Sequence, residues 1–360
     1  ENQQRDIVDI AASHGWHKQE MKARLRTAIE AAKTTPVKYD KNVSVYDWAV
    51  GWYAGAQEEA SNLSSSFRIS LEQASAMIAV LSSNNIWETK DKGHYPNLDV
   101  TVALLQALDQ DVEVRITEAD ASYMAGEQGA MNFTDAAHWK AQQKKPAKYA
   151  GHGTVEDPMQ YVGVHRLSEL PPRVAAMKFT QQFGWGYGDK GNKKAGAGLN
   201  TGWGNVEKAI NIYRDPDSID AQVGGNKIRS FANSIFAGDG NSVVIDRWMV
   251  GVMTGSVGDS TATNADFKIM SATDPSKVKG EKGKQKEQRA AVANYVRDVA
   301  LYPLFADIVR EVAAELGIEP SDAQAVAWYE GQEIRSQKLS TLDHIGGVQK
   351  ADIGRFKLGG

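Results

Sequence analysis

Apolar positions recur at helical spacing along most of the chain, which predicts a mostly helical protein. Ile7, Ile10, Ala11, Met21, Leu25 and Ile29 follow that spacing between residues 5 and 33, broken near "SHGW", so two helices and a turn are expected there. "SVYDWAVGWYAGAQEEASNL" reads as a third helix. "SLEQASAMIAVLSS" opens with Ser70 three residues before Gln73, the pattern of a capping box, and continues as an almost wholly apolar run. A helix apolar on all sides is a buried one, so this element should be central. Further helices are expected over 98–108, 171–183, 205–214, 226–236, 286–317 (with a kink at Pro303) and 321–335. Strand signals are few: "DVEVRI" at 111–116 alternates, and "SVVID" is short. Between about 118 and 204 the periodicity weakens. There "GYGDKGNKKAGAGLNTGWGN" reads as a long loop, and the polar, glycine-spotted tail from 336 to 360 reads as surface.

Composition narrows the chemistry. With 360 residues, 42% of them hydrophobic, the chain can bury a substantial core and divide into two compact lobes. It holds no run of eighteen apolar residues, and "ENQQRDIVDIAASHGW" is too polar for a secretory segment, so a cytoplasmic protein with no membrane partner is expected. The absence of cysteine removes disulfides, thiolate zinc sites, iron-sulfur clusters and any thiol nucleophile. His138, His152 and His165 lack the spacing of metal ligands, so neither metal nor cofactor is expected. A net charge of −4 argues against a protein that coats nucleic acid, since such binding rests on Lys and Arg. Basic clusters at 144–148, 189–194 and 277–289 nonetheless allow a polarised surface, although solvated loops are the commoner reading of such runs.

The segment "VGGNKIRSFANSIFAGDGNSVVIDRWM", residues 223–249, carries the strongest chemical signal. It places a glycine pair and Lys227 nineteen positions before Asp246, which ends an apolar run ahead of Arg247 and Trp248. A short helix from about Ser218, a turn at "QVGGN" and a helix beginning near Lys227 would make a helix-hairpin-helix. Its turn amides and helix N-terminus suit a phosphate, and Gly224 and Gly225 let a backbone come close. Asp246 would be partly buried and rigid, able to stabilise a cation. The structural alternatives are a solvent-facing Lys227 and an Asp246 that only caps a helix. Trp52, Tyr53, Trp328 and Tyr329 could line a base pocket, with core packing the safer reading. Glu330 could read a base edge, but a lone glutamate late in a helix is generally exposed. Asp215 and Asp239 are better read as turn residues.

"MIAVLSSNN", "NVEKAINI", "GGNKIRSFANSIF" and "VVID" resemble, in order and spacing, the signatures of the helix-hairpin-helix DNA glycosylase superfamily, the endonuclease-III-like and MutY-like proteins. The match is concentrated in residues 75–90 and 205–250. It is also similar to a group of bacteriophage proteins with an "LS…W", "K-[IV]-x-x-F" and "V-x-[IV]-D-R" pattern, whose glycosylase-fold relatives are associated with thymine hypermodification. The resemblance implies an all-α, two-lobed fold with a helical barrel over 65–238, an inserted loop-rich segment at 110–200, and a second lobe built from 1–64 and 239–360. It places Asp246 and Lys227 at the catalytic positions, in a cleft between the lobes. Gly224, Gly225, Asn226, Asn84, Asn85, Trp87 and Arg247 would contact duplex DNA around an extruded nucleotide. Asn84 stands where the family has glutamine, and "DAQVGG" replaces "LPGVG", so wedge and turn both depart from the pattern. The activity implied is excision of a modified or damaged base by a monomeric enzyme. A lyase step follows if Lys227 attacks the sugar, with base hypermodification or non-catalytic DNA binding as alternatives.

Overall fold

The computed structural model describes residues 2–37, 40–82, 96–125, 155–182, 203–237, 240–257 and 301–346, with isolated positions between 262 and 270. These residues are mostly helical, as expected. They fall into two compact units: Glu1–Gln57 with Asn233–Lys350, and Glu58–Ala232.

The first unit begins with α1 (Asn2–Ser13) and α2 (Lys18–Ala32), separated at Gly15 in the left-handed region, φ 77°. A short antiparallel pair follows, β1 (Pro36–Val37) and β2 (Asp40–Ser44), leading into α3 (Val45–Ala49). The expected third helix is two helices: α3 ends before Gly51, at φ 79°, and α4 (Trp52–Phe67) starts after it. A left-handed residue cannot continue a right-handed helix, and glycine adopts that region without a Cβ penalty. The unit is completed by α12 (Arg247–Thr254), α13 (Tyr302–Leu316) and α14 (Pro320–Gly346). Residues 286–300 of the expected helix lie outside the described residues, and within α13 Pro303 causes no kink. It lies in the first turn of α13, where a missing N–H costs nothing because that group has no intrahelical acceptor. α14 extends to Gly346, beyond the expected end at 335 and into the supposed surface tail.

Packing in this unit follows from helical stripes. Met21, Leu25, Ala28, Ile29 and Ala32 of α2 are buried. So are Phe305, Ile308, Val309 and Val312 of α13, and Trp16 meets the Phe305 ring edge-on at 5.6 Å. Each such large side chain removed from water contributes about 1.5–3 kcal/mol before the entropy of ordering it is subtracted. The flanks of α2 and α13 carry ion pairs: Lys18 and Lys22 to Glu311 (2.6 and 3.0 Å), Lys22 to Glu315 (2.6 Å), and Arg26 to Glu315.

In the second unit α5 (Leu71–Leu81) is the buried central helix. The expected capping box is present: the Ser70 hydroxyl accepts from Gln73 N, and the Gln73 side chain accepts from Ser70 N. Every residue from Gln73 to Leu81 is buried. The Gln73 amide also donates to Ile212 O (3.0 Å) and Tyr213 O (3.3 Å), satisfying last-turn carbonyls of α9 (Trp203–Arg214). Around this pair stand α6 (Pro96–Asp109), α7 (Glu118–Met124) and α8 (Pro172–Gln182). "DVEVRI" supplies β3 (Glu113–Ile116), which pairs antiparallel with β4 (Gly163–Arg166), Val114 opposite His165. The described part of 110–200 is therefore built of regular elements, not loop alone. A two-turn hairpin follows α9: a 3₁₀ turn at Pro216–Ser218, α10 (Ile219–Gln222) and α11 (Asn226–Ala237).

Candidate functional site

The predicted site residues lie in two groups, and each is built by its own unit. Asp246 belongs to the first. Residues 241–246, expected to include a strand, have no regular secondary structure. Val243, Val244 and Ile245 are buried, and the Tyr302 hydroxyl serves as their backbone partner, donating to Val243 O (3.1 Å) and accepting from Ile245 N (3.0 Å). One tyrosine from α13 thus satisfies two polar groups that a ladder would otherwise pair.

That segment delivers Asp246 to the N-cap of α12. Its Oδ1 accepts from Trp248 N (2.8 Å) and Met249 N (3.2 Å), and its Oδ2 accepts from the indole Nε1 of Trp328 on α14 (2.8 Å). Asp246 is 8% exposed. An ionised carboxyl offers about four acceptor positions; three are occupied, in a geometry that prevents rotation of the group. The far end of α12 is also closed. Gly255 terminates it at φ 82°, and the Arg24 guanidinium donates to Met253 O (3.3 Å) and Thr254 O (3.2 Å). α14 sits close against α12 at Gly331, where a Cβ would meet the Val252 methyl at 3.0 Å.

Two tyrosines share this polar interior. Tyr53 donates to the Gln324 carbonyl. Burial pushes the Tyr53 phenol well above its ordinary range, with Tyr302 and the Asp246 carboxylate nearby adding to the effect. Of the four aromatic residues weighed for a base pocket, Trp328 meets Tyr329 edge-on at 4.8 Å, and Trp52 meets Tyr53 in the same way at 4.7 Å. Arg247 is exposed, its guanidinium 5.3 Å from the Trp248 ring. Glu330 departs from expectation: it is 4% exposed, not solvent-facing, with Oε1 accepting from the Thr35 hydroxyl at 3.2 Å. Desolvation raises its pKa, the Thr35 bond opposes that, and Glu333 adds to it.

The hairpin turn belongs to the second unit. Gly224 N donates to Gln222 O (2.9 Å), and Gly225, at φ 84°, turns the chain into α11. Gly224, Gly225, Asn226 and Lys227 are all exposed, and a Cβ built on either glycine meets nothing within 4 Å. Arg229 ties the hairpin together, donating to the Asp220 carboxylate (2.9 Å) and the Asp220 carbonyl (3.2 Å). Lys227 has no ion-pair partner among the described residues. Asp215 accepts from Asp217 N and caps the 3₁₀ turn, as a turn residue should. Asn84, Asn85, Trp87 and Asp239 lie outside the described residues.

A cavity of about 520 Å³ lies in the first unit, bounded by Ile7, Val8, Lys18, Leu304 and Arg310; none of the predicted site residues lines it. The described residues contain no cluster of three metal-ligating side chains and no helix long and apolar enough to cross a membrane. The Trp328–Asp246 bond is the feature sequence reasoning missed. The partners are 82 residues apart, and no local pattern joins them. No protein-family model, curated protein or solved structure matches the chain.

Proposed function

We propose that this protein is a DNA glycosylase of the helix-hairpin-helix type, and that Asp246 stabilises the positive charge that develops on deoxyribose as an N-glycosidic bond breaks. The observation that carries the reading is the Asp246 carboxylate. It is nearly buried, held by three donors on its two oxygens, and retains an acceptor position. A fixed negative group in a weakly solvated setting acts on a developing cation without reorganising, which is where electrostatic catalysis is strongest.

The hairpin supports the same reading. Its turn is exposed, its glycines leave open space, and the N-terminus of α11 offers backbone amides to a phosphate. Lys227, exposed on the first turn, fits a phosphate-contacting cation better than a neutral amine nucleophile, which needs desolvation. The reading is therefore a monofunctional enzyme: base release without strand cleavage. The target nucleotide must leave the stack to be reached, at a cost of a few kcal/mol that phosphate contacts offset.

One observation favours a second reading. Asp246 is a complete N-cap, so a DNA-binding protein that uses the residue only structurally would have the same cap. The two separate on one experiment: incubation with duplexes carrying assorted modified pyrimidines, followed by mass analysis of free base and of DNA. The glycosylase reading expects a free base that disappears in Asp246→Asn, and no borohydride-trapped adduct at Lys227. DNA of altered mass with no free base would instead indicate hypermodification. Unchanged DNA throughout would favour the binding protein.

A further inference from the structure

We infer that Trp328 is the positioning residue for the Asp246 carboxylate, its indole N–H fixing Oδ2 so that the one acceptor position left on the group has a single direction. The inference rests on the glycosylase reading of Asp246 and adds to it a residue from a distant helix.

The capping bonds alone do not set that direction. Both go to Oδ1, from Trp248 N and Met249 N, and leave both acceptor positions of Oδ2 open. The indole bond at 2.8 Å fills one of the two. Indole is a donor only, so it cannot compete with a cation for the remaining lone pair, and it has no alternative rotor as a hydroxyl would. The helix that carries it is held on both sides of position 328, and the ring itself meets a neighbour. Gln324, one turn earlier on α14, accepts from Tyr53, and Tyr329 meets the indole edge-on. Gly331, three residues later, brings α14 to within contact of Val252 and of the Trp248 carbonyl, at 3.0 and 3.9 Å from where a Cβ would stand. The opposite anchor is Tyr302, which holds the backbone of Val243 and Ile245 just ahead of the carboxylate. A charge-stabilising group held in this way does not reorganise as the cation forms.

The test needs no knowledge of the target base. Two duplexes are compared, each with one nucleotide replaced by an abasic ring: a pyrrolidine, cationic when protonated, and a neutral tetrahydrofuran of the same shape. Transition-state mimics bind at least about 100-fold more tightly than ground-state counterparts, so the wild type is expected to prefer the pyrrolidine duplex by about that factor. Trp328→Phe should lower the preference about tenfold, the typical weight of one charge-assisted hydrogen bond, while leaving tetrahydrofuran affinity within about twofold. Should the phenylalanine chain not fold, site-specific 3-benzothienylalanine at position 328 keeps the ring shape and lacks only the N–H, and the same tenfold loss is expected. A wild-type preference in either variant, or an equal loss of affinity for both duplexes, shows that Trp328 only packs and overturns the inference while the glycosylase reading stands. No preference in the wild type itself overturns that reading, and this inference with it.

Discussion

Glu330 holds one carboxylate oxygen buried with no partner among the described residues, and the other bonded only to Thr35. Its pKa in the folded chain lies above the ordinary value, chiefly through desolvation. A carboxyl raised on folding contributes stability below its unfolded pKa and loses it as pH rises through the folded one. Glu330→Gln should therefore unfold at a higher temperature than wild type at pH 8, with the difference closing toward pH 4; a difference constant with pH would contradict this. Asp246 and Trp328 make a second residue-scale prediction. A double-mutant cycle of Asp246→Ala and Trp328→Phe on chemical unfolding should give a coupling of about 1.5–3 kcal/mol, the range for a hydrogen bond to a charged group. Near-additive effects would mean that the 2.8 Å bond adds little to stability. At this scale the sequence was partly legible. An apolar run ending in aspartate before a helix reads as a cap, because capping is local. The indole partner and the burial of Glu330 were not, because both depend on which face of α14 meets α2 and α12.

Among the elements, the hairpin is where local rules and the proposed function meet most closely. Gly225 stands at φ 84°, whereas Gly224 has an ordinary backbone, and both have open space above them. Gly225→Ala should cost about 1 kcal/mol of stability from backbone strain alone, and Gly224→Ala should cost none. Both should weaken binding to a duplex at fixed salt, since each adds a methyl where a phosphate would approach the turn. Thermal melts and fluorescence anisotropy separate the effects; if Gly224→Ala binds DNA as wild type does, the turn is not the phosphate contact. The hairpin and α5 were readable in advance because their signals are local: a glycine pair before a helical stripe, and a Ser-x-x-Gln capping box. The breaks were misread for an equally physical reason. Gly51 lies inside a continuous apolar pattern, so periodicity ran through it. Pro303 also fell inside a helical pattern, where it reads as a kink, but its place in the first turn marks a start. β2 is too irregular in burial for alternation to show, and β4, four residues long, alternates only between half-buried and exposed positions.

At the scale of the whole molecule, the first unit depends on charge as well as core. Glu315 has its pKa lowered chiefly by the hydrogen bond from Lys22. At Glu311 burial acts upward, and the ammonium groups of Lys18 and Lys22 outweigh it. Carboxylates depressed on folding contribute stability above their unfolded values and lose it as pH falls. Lys22, raised by its bonds to Glu315 and Glu311, acts oppositely, its contribution present below its ordinary value near 10.5 and lost as pH rises through the raised one. Wild-type stability should therefore decline below about pH 5, and Lys22→Met should flatten that acid limb. An unaltered limb would assign the acid loss to other groups. The helical class of the protein was legible because periodicity sums over many residues. Its division falls within α4 and α11, and because each helix is continuous in sequence across the divide, no local break marks the boundary residue.

The central claim is that the Asp246 carboxylate stabilises a cation at the sugar of an extruded nucleotide, and duplex affinity for charged against neutral abasic rings tests it most directly. The account predicts a wild-type preference of about 100-fold or more for the pyrrolidine duplex, reduced to near unity in Asp246→Asn with tetrahydrofuran affinity retained. Asparagine caps helices about as well as aspartate, but its amide nitrogen would face the Trp328 N–H in place of an acceptor, so the unfolding temperature of the variant is measured alongside. Equal wild-type affinity for the two rings, or a preference that survives in Asp246→Asn, would contradict the account.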